Sequence, residues 1–353
     1  MKSNTYRVLA IDGGGIRGAY SAGFIDHFER HINGPQLRTS ISPNLVGGTS
    51  TGGIIACAIA HGVAPSRIVD FYRESGPAIF ARNSGVKPEP RRRRFRRLMT
   101  ARHDSAPLRR ALVEVFGDEK LSTVYERSGI ALVIPVADLG KIGPTVFKTP
   151  HDRVWLGQDD HALSDGVAWS RDGELSIVDV CMATTAAPTF FEPHAITMDG
   201  VERRYADGGL VANSPVLVAL LEALDLAEPD QDIHVISIGT CPVKESYAAP
   251  EGKGGFIAWG KFAAPYAIDC SAELQLQMAI RTARQLSLNG RKIHVDRLHA
   301  SALPNNIAQK IEMDRAEPSL VDALIAHGHS DAEKLLSKLN AGRCDQRVRR
   351  FFE

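Results

Sequence analysis

The stretch "VLAIDGGGIRG", Val8 to Gly18, decides how this chain is read. Val8 to Ile11 is an apolar run suited to a buried β-strand, and it stops where Gly13 begins. Three consecutive glycines remove the Cβ atoms, so the backbone is free to take positive φ and to aim its N–H groups at a bound group. Beyond them Ala19, Ala22, Phe24, Ile25 and Phe28 recur at helical spacing, which puts the loop at a helix N-terminus, where the macrodipole also favours anions. The loop therefore binds something negative: a phosphate, or an oxyanion that exists only during a reaction.

Outward from this strand, further strand-like runs occur at Asn44 to Gly47, Ile130 to Ala137, Thr145 to Lys148 and Ile233 to Ile238. Helical patterns lie at Ala19 to His31, Thr51 to His61, Pro65 to Ser75, Pro107 to Phe116, Ile177 to Thr185, Pro215 to Leu226, Ala272 to Leu288 and Pro318 to Leu339. Such alternation predicts an α/β fold with a mostly parallel central sheet covered by helices. A chain of 353 residues, 44% hydrophobic, supports a full core and is read as one domain over 1–353. Two stretches break the pattern: Arg82 to Asp104, a surface excursion with Pro88 and Pro90, and Ala248 to Ile268, a Gly- and aromatic-rich flap.

Lys and Arg number 42 against 41 Asp and Glu, so no global charge points to a nucleic-acid polymer. Five cysteines, never in a C-x-x-C pair, support neither a disulfide framework nor a zinc site. The N-terminus lacks the apolar run of a signal peptide, and no stretch approaches the roughly 18 apolar residues of a membrane span. A soluble cytoplasmic protein is expected. The charge that matters is local: Arg91, Arg92, Arg93, Arg94, Arg96 and Arg97 form a basic run beside Phe95, Leu98 and Met99. Its readings are a solvated face, a dock for anionic lipid headgroups, or a site for a polyanionic regulator.

Two further motifs carry chemistry. In "LVGGTSTGGIIACAIA", Gly48, Ser50 and Gly52 make G-x-S-x-G between a strand and a helix, the context of a nucleophile elbow; a glycine-rich turn packed on the sheet is the other reading. In "YADGGLVANSP", Asp207 precedes Gly208 and Gly209, ordinarily a turn. A Ser-His-Asp triad would draw on His234, His294 or His299, none of which sits in a supporting motif. Gly13, Gly15 and Gly18 also spell the dinucleotide pattern, but no acidic residue lies between Arg30 and Ser50 to hold a ribose. Asp12 is read as stabilising the turn at the strand end.

Taken in order, "DGGGIRG", "GGTSTGG" and "ADGGLVANSP", with "ATTAAPTFFEP" at Ala183 to Pro193 and the tail "IEMDRAEPSLVDALIAHG", resemble the patatin-like phospholipase family. The resemblance implies a three-layer α/β/α fold, with the motif-bearing core at about 6–239 and a helical part at about 271–340. It implies a lipid acyl hydrolase in which Ser50 is the nucleophile, Asp207 its partner, the amides of Gly13, Gly14 and Gly15 the oxyanion hole, and Arg17 a support for that loop. Gly48, Gly52, Gly208 and Gly209 are supporting positions. Neither metal nor organic cofactor is implied, and the partner is a membrane phospholipid surface met from the cytoplasm. Some bacterial members are anti-phage effectors switched on by a cyclic oligonucleotide, which makes such an activator a candidate partner; a catalytically silent regulatory module is the other alternative.

Overall fold

A computed structural model describes residues 5–33, 43–80, 101–151, 172–241, 263–288, 290–308 and 316–352. The arginine run at 91–97 and most of the expected flap at 248–268 lie outside the described residues.

Strand β1 (Thr5–Ile11) leads through the short turn Gly15–Arg17 into helix α1 (Gly18–Asn33). Strand β2 (Leu45–Gly48) leads into α2 (Thr51–His61), followed by α3 (Pro65–Glu74) and α4 (Gly76–Ile79). Helices α5 (Ala106–Phe116) and α6 (Leu121–Ser128) precede β3 (Ala131–Asp138) and β4 (Gly143–Lys148). After α7 (Ile177–Thr184) come the hairpin β5 (His194–Met198) and β6 (Val201–Ala206), the single turn α8 (Gly209–Ala212) and α9 (Val216–Leu226). Strand β7 (Asp232–Ile238), α10 (Ala263–Ser287), β8 (Ile293–Leu298), α11 (Asn305–Ala308), α12 (Pro318–Asn340) and α13 (Gln346–Phe352) complete the described elements.

The eight strands form one sheet in the order β5-β6-β3-β2-β1-β7-β8, with β4 also paired to β3. The β1–β2, β2–β3, β1–β7 and β7–β8 pairs are parallel, whereas β4, β5 and β6 run antiparallel to their neighbours. Side chains alternate across the pleat, so each central strand feeds two cores. Leu9 and Ile11 of β1, with Leu132, Ile134 and Val136 of β3, face the layer of α1, α2, α3, α5, α7 and α12. Tyr6, Val8 and Ala10, with Ala131 and Val133, face α9 and α10. This is the expected three-layer α/β/α arrangement, and parallel pairing brings the C-terminal ends of β1 and β2 to one edge. Ligands of open α/β sheets bind along such an edge.

The structure adds elements that the sequence reading left out. β5 and β6 turn at Asp199 and Gly200, with φ of 52° and 75°, the Asp-Gly hairpin geometry. Exposed Ala195 and Thr197 on β5 and the charged Glu202, Arg203 and Arg204 on β6 leave no continuous apolar run to mark them. β8 is an edge strand that alternates Ile293 and Val295 with His294 and Asp296, and α6 is only eight residues long. Helix α10 begins at Ala263 rather than Ala272, because Pro265 falls in its first turn, where no backbone N–H is required.

Beneath α9, the carboxylate of Glu222 takes both Lys148 Nζ and, at 2.9 Å, His151 Nε2. Glu222 and His151 are buried, and the pairing holds the Glu222 carboxyl below its usual range against the opposing pull of burial. Glu222→Gln leaves Lys148 beside a neutral acceptor, and we expect a loss of about 2 kcal/mol in urea unfolding at neutral pH.

Candidate active site

Ser50 stands between β2 and α2 with φ 54° and ψ −126°, a left-handed conformation strained for a serine and characteristic of a nucleophile on a sharp strand-to-helix turn. Its backbone N–H donates to Thr184 Oγ1 at 3.0 Å, and the Thr184 hydroxyl in turn donates to the carbonyl of Pro135 at 2.8 Å. Thr49 Oγ1 donates to the carbonyl of Ala212 at 2.6 Å. Small flanking residues are a steric requirement here. A Cβ at Gly52 would run into the carbonyls of Ile11 and Asp12, and one at Gly48 would lie 2.7 Å from the Cβ of Ala56.

Asp207 follows β6, and its backbone N–H is tied to the carbonyl of Ala186 at 2.9 Å. Gly208 presses so closely on β3 that a Cβ there would collide with the carbonyl of Pro135. The result brings together two residues 157 positions apart: Ser50 Oγ donates to Asp207 Oδ2 at 2.7 Å. The other carboxylate oxygen accepts the N–H of Gly209 at 2.6 Å, which fixes the plane of the group. Both side chains are buried at 6% exposure. Burial pushes the Asp207 carboxyl up to about 6, while the bonds from Gly209 and Ser50 pull it partly back. Such a carboxylate is ionised at neutral pH yet far more basic than an exposed one, as a proton acceptor for a serine must be. Because protonated Asp207 accepts no proton, kcat/KM on a soluble ester should fall with pH below about 6, approaching tenfold per unit well below that value. Initial rates between about pH 5 and about pH 8 check this.

The glycine loop lies across the elbow from Asp207. The N–H of Gly13, one of the three amides expected to form the oxyanion hole, donates to the carbonyl of Asn213 at 2.9 Å. Among the described residues nothing accepts from the N–H of Gly14 or Gly15, and Gly15 has φ 58°, a conformation open to glycine at little cost. Arg17 bonds to this loop. It is buried, its Nε donates to the Gly14 carbonyl at 3.2 Å, and Nη1 donates to the Cys241 carbonyl at 3.3 Å. Asp12 anchors the strand end through Arg297, whose Nη2 lies 2.5 Å from Oδ2 and whose Nη1 donates to Ser237 Oγ at 2.7 Å.

Two cavities open onto Ser50. One is narrow and apolar, lined by Ile54, Phe71, Ile79, Phe80, Leu108, Phe190 and Phe191. The other is bounded by Gly14, Arg17, Asp207, Asn213 and Asp269 and adjoins a polar cavity of about 270 Å³ that shares Arg17, Asn213 and Asp269. Asp12 and Ser214 are among the residues that line that larger space. Among the described residues, no histidine lines either cavity at Ser50. His234 bonds Asp296 at 2.7 Å beside Phe351, four residues before the C-terminal end of β7; His294 meets Arg347; His299 lines only the neighbouring polar cavity.

Three contributors escaped the sequence reading: Thr184, which pins the elbow; Asn213, whose carbonyl occupies Gly13; and Arg297, the partner of Asp12. The first two fall inside stretches already singled out, "ATTAAPTFFEP" and "ADGGLVANSP", whereas Arg297 carries no local signal.

A family model described as patatin-like phospholipase matches residues 9–220. A cGAMP-activated phospholipase of Vibrio cholerae serotype O1 is 28% identical over 96% of this chain and 93% of its own length. A cGAMP-activated phospholipase of Pseudomonas aeruginosa is 33% identical over 68% of this chain and 63% of that protein. Patatin-like protein 4 of Arabidopsis thaliana is 29% identical over 72% of this chain and 65% of that one. Among solved structures, VipD from Legionella pneumophila covers 94% of this chain and 67% of its own at 11% identity and a TM-score of 0.43, a likeness too loose to argue from. The matched residues, 9–220, contain the glycine loop, the serine elbow and the Asp-Gly-Gly turn, and the chain belongs to the patatin-like phospholipase family of lipid-hydrolysing enzymes.

Proposed function

We propose that this protein cleaves acyl esters of glycerophospholipids with a Ser50–Asp207 dyad and releases fatty acid. The observation that carries the reading is the 2.7 Å bond from Ser50 Oγ to a buried, basic carboxylate at the mouth of an apolar cavity. The acyl chain lies in the cavity lined by Phe71, Phe80, Phe190 and Phe191, and the glycerol and headgroup take the second cavity at Ser50, bounded by Gly14, Arg17 and Asn213. Ser50 Oγ attacks the ester carbonyl while its proton passes to Asp207. The resulting oxyanion is held by the N–H groups of Gly14 and Gly15, fixed donors typically worth about 10²- to 10³-fold each. Asp207 then gives the proton to the departing alcohol, leaving an acyl ester on Ser50. Water, deprotonated by Asp207, attacks that ester; as the bond from the acyl carbon to Ser50 Oγ breaks and the acid departs, Asp207 returns the proton to Ser50 Oγ and the dyad is restored. Every proton is accounted for by one carboxylate, so the cycle calls for no cofactor.

The reading includes a single domain over 1–353, acting peripherally on a cytoplasmic membrane face; none of the described helices is long and apolar enough to cross a membrane. It also includes activation by a cyclic dinucleotide, supported by the relatives named cGAMP-activated phospholipases, one of them matched over 96% of this chain. The test is purified protein on mixed phospholipid vesicles, with and without cGAMP, with fatty acids and lysolipids identified by mass spectrometry. A fluorophosphonate probe should label Ser50. Folded protein that neither takes the probe nor releases acid under either condition would refute the reading.

A further inference from the structure

Away from Ser50, α1 and α12 pack closely. A Cβ at Gly23 would sit 2.7 Å from the carbonyl of Ile325, and one at Gly328 would lie 2.7 Å from the N–H of Phe24. At the outer end of this contact each helix presents a pair of potential ligands four residues apart: His27 and His31 on α1, His329 and Glu333 on α12. Residues four apart share one helix face, so the two pairs meet across the seam. His27 Nε2 lies 2.9 Å from Glu333 Oε2, although the residues are 306 positions apart. The His27 and His31 rings stack with centroids 4.1 Å apart, and one ligand atom from each of His27, His31 and Glu333 falls within 4.8 Å of the other two. His31 Nδ1 is 2.8 Å from the carbonyl of His27. As an N–H donor there, it leaves the Nε2 lone pair of His31 outward, the arrangement that commonly orients metal-binding histidines.

We propose that His27, His31 and Glu333 bind a divalent transition-metal ion of the zinc type, which clamps α1 to α12. Two imidazole nitrogens and one carboxylate oxygen suit zinc, copper or nickel, whereas magnesium and calcium prefer all-oxygen sets. Tetrahedral ligands at about 2.0–2.1 Å from zinc stand about 3.3 Å apart, so small side-chain rotations close the site. His31 and Glu333 are exposed, which gives the ion a direct path and leaves the fourth position to water. On binding, the proton shared between His27 Nε2 and Glu333 is released to solvent, and nitrogen and oxygen each donate to the metal. His329 is not counted among the ligands, because its Nε2 leans toward Asp26 at 3.5 Å. The cluster lies nine residues into α1 from Gly18, about 14 Å along the helix from the glycine loop. The clamp is therefore structural, joining an early helix to a late one.

The test uses the full chain, free of any histidine tag and stripped with a chelator, titrated with zinc chloride against a chromogenic zinc indicator. One zinc per chain is expected, with a rise in the unfolding midpoint. His31→Ala and Glu333→Gln, both at exposed positions, should each weaken binding by at least about tenfold and cancel the rise, with unchanged circular dichroism. Cys270→Ser, at an exposed thiol, should bind like the parent, and magnesium should do nothing. Absence of a one-to-one stoichiometry overturns the proposal. So does equal affinity in His31→Ala, Glu333→Gln and the parent, or a loss of binding in Cys270→Ser.

Discussion

Ser50→Ala should lower turnover on phospholipid vesicles and on a soluble ester by about 10⁴- to 10⁶-fold, and Asp207→Asn should fall by a comparable factor. The reason is that the proposed dyad joins Ser50 Oγ to Asp207 Oδ2 at 2.7 Å, so that the two would act together. Without the carboxylate the hydroxyl keeps its proton at the moment of attack, and without the hydroxyl the carboxylate has nothing to activate. The double variant should be hardly worse than either single one, since groups acting as a unit are strongly non-additive. Both variants should stay folded, and Asp207→Asn also removes a charge held in a dry site. Its stability relative to the parent should improve as pH rises from about 3.8, where the unfolded carboxyl loses its proton, to about 6, where the buried one does, and stay level above that. His299→Ala is the control, because that exposed residue lines only the adjoining polar cavity. Near-normal turnover in Asp207→Asn, with His299→Ala inactive, would replace the dyad by a triad. Rates and fluorophosphonate labelling measured on the same preparations decide between them.

The parts of this site that could be read in the sequence are those written in contiguous residues. A strand running into Gly13 to Gly15, a serine between Gly48 and Gly52, and Asp207 before Gly208 each carry a local signal, because each is a turn whose sterics demand small neighbours. Their meeting point was inferred from the order of the motifs and not from any one of them. What stayed hidden is what distant chain supplies. The Gly13 amide looks free in the sequence, but the turn after Asp207 folds the carbonyl of Asn213 onto it, 200 residues on. Arg297 looks like a surface cation on an undistinguished strand until β8 pairs with β7 and aims it at Asp12. The same holds for His27 and His31, which read as the polar side of an amphipathic helix until α12 brings Glu333 beside them. Edge strands β5, β6 and β8 were missed for a related reason: solvent on one face removes the apolar run by which β1, β3 and β7 announce themselves.

Gly14→Ala separates the two chemistries first assigned to the glycine loop. Its φ is 177°, outside the left-handed range that favours glycine, and the obstacle to a side chain there is space. The added Cβ would stand 2.7 Å from Thr240 Cγ2 and 2.8 Å from Thr240 Oγ1, and something must shift. Arg17 grips the Gly14 carbonyl through both its backbone N–H and its Nε, each at 3.2 Å, so the Gly14–Gly15 peptide is held while the preceding one, which carries the Gly14 N–H, is pushed. An amide displaced by a fraction of an ångström still lines the cavity but no longer points at the oxyanion. Losing one such donor costs about 10²- to 10³-fold, so kcat should fall by about 100-fold with little change in KM. Thr240→Ala removes the two nearest obstructing atoms and leaves the threonine Cβ position, 3.1 Å away. Introduced into Gly14→Ala, it should restore a large part of the lost kcat, whereas a merely destabilised loop would gain nothing. If KM rises instead and kcat stays constant, the loop holds a ground-state phosphate and the oxyanion must be stabilised elsewhere.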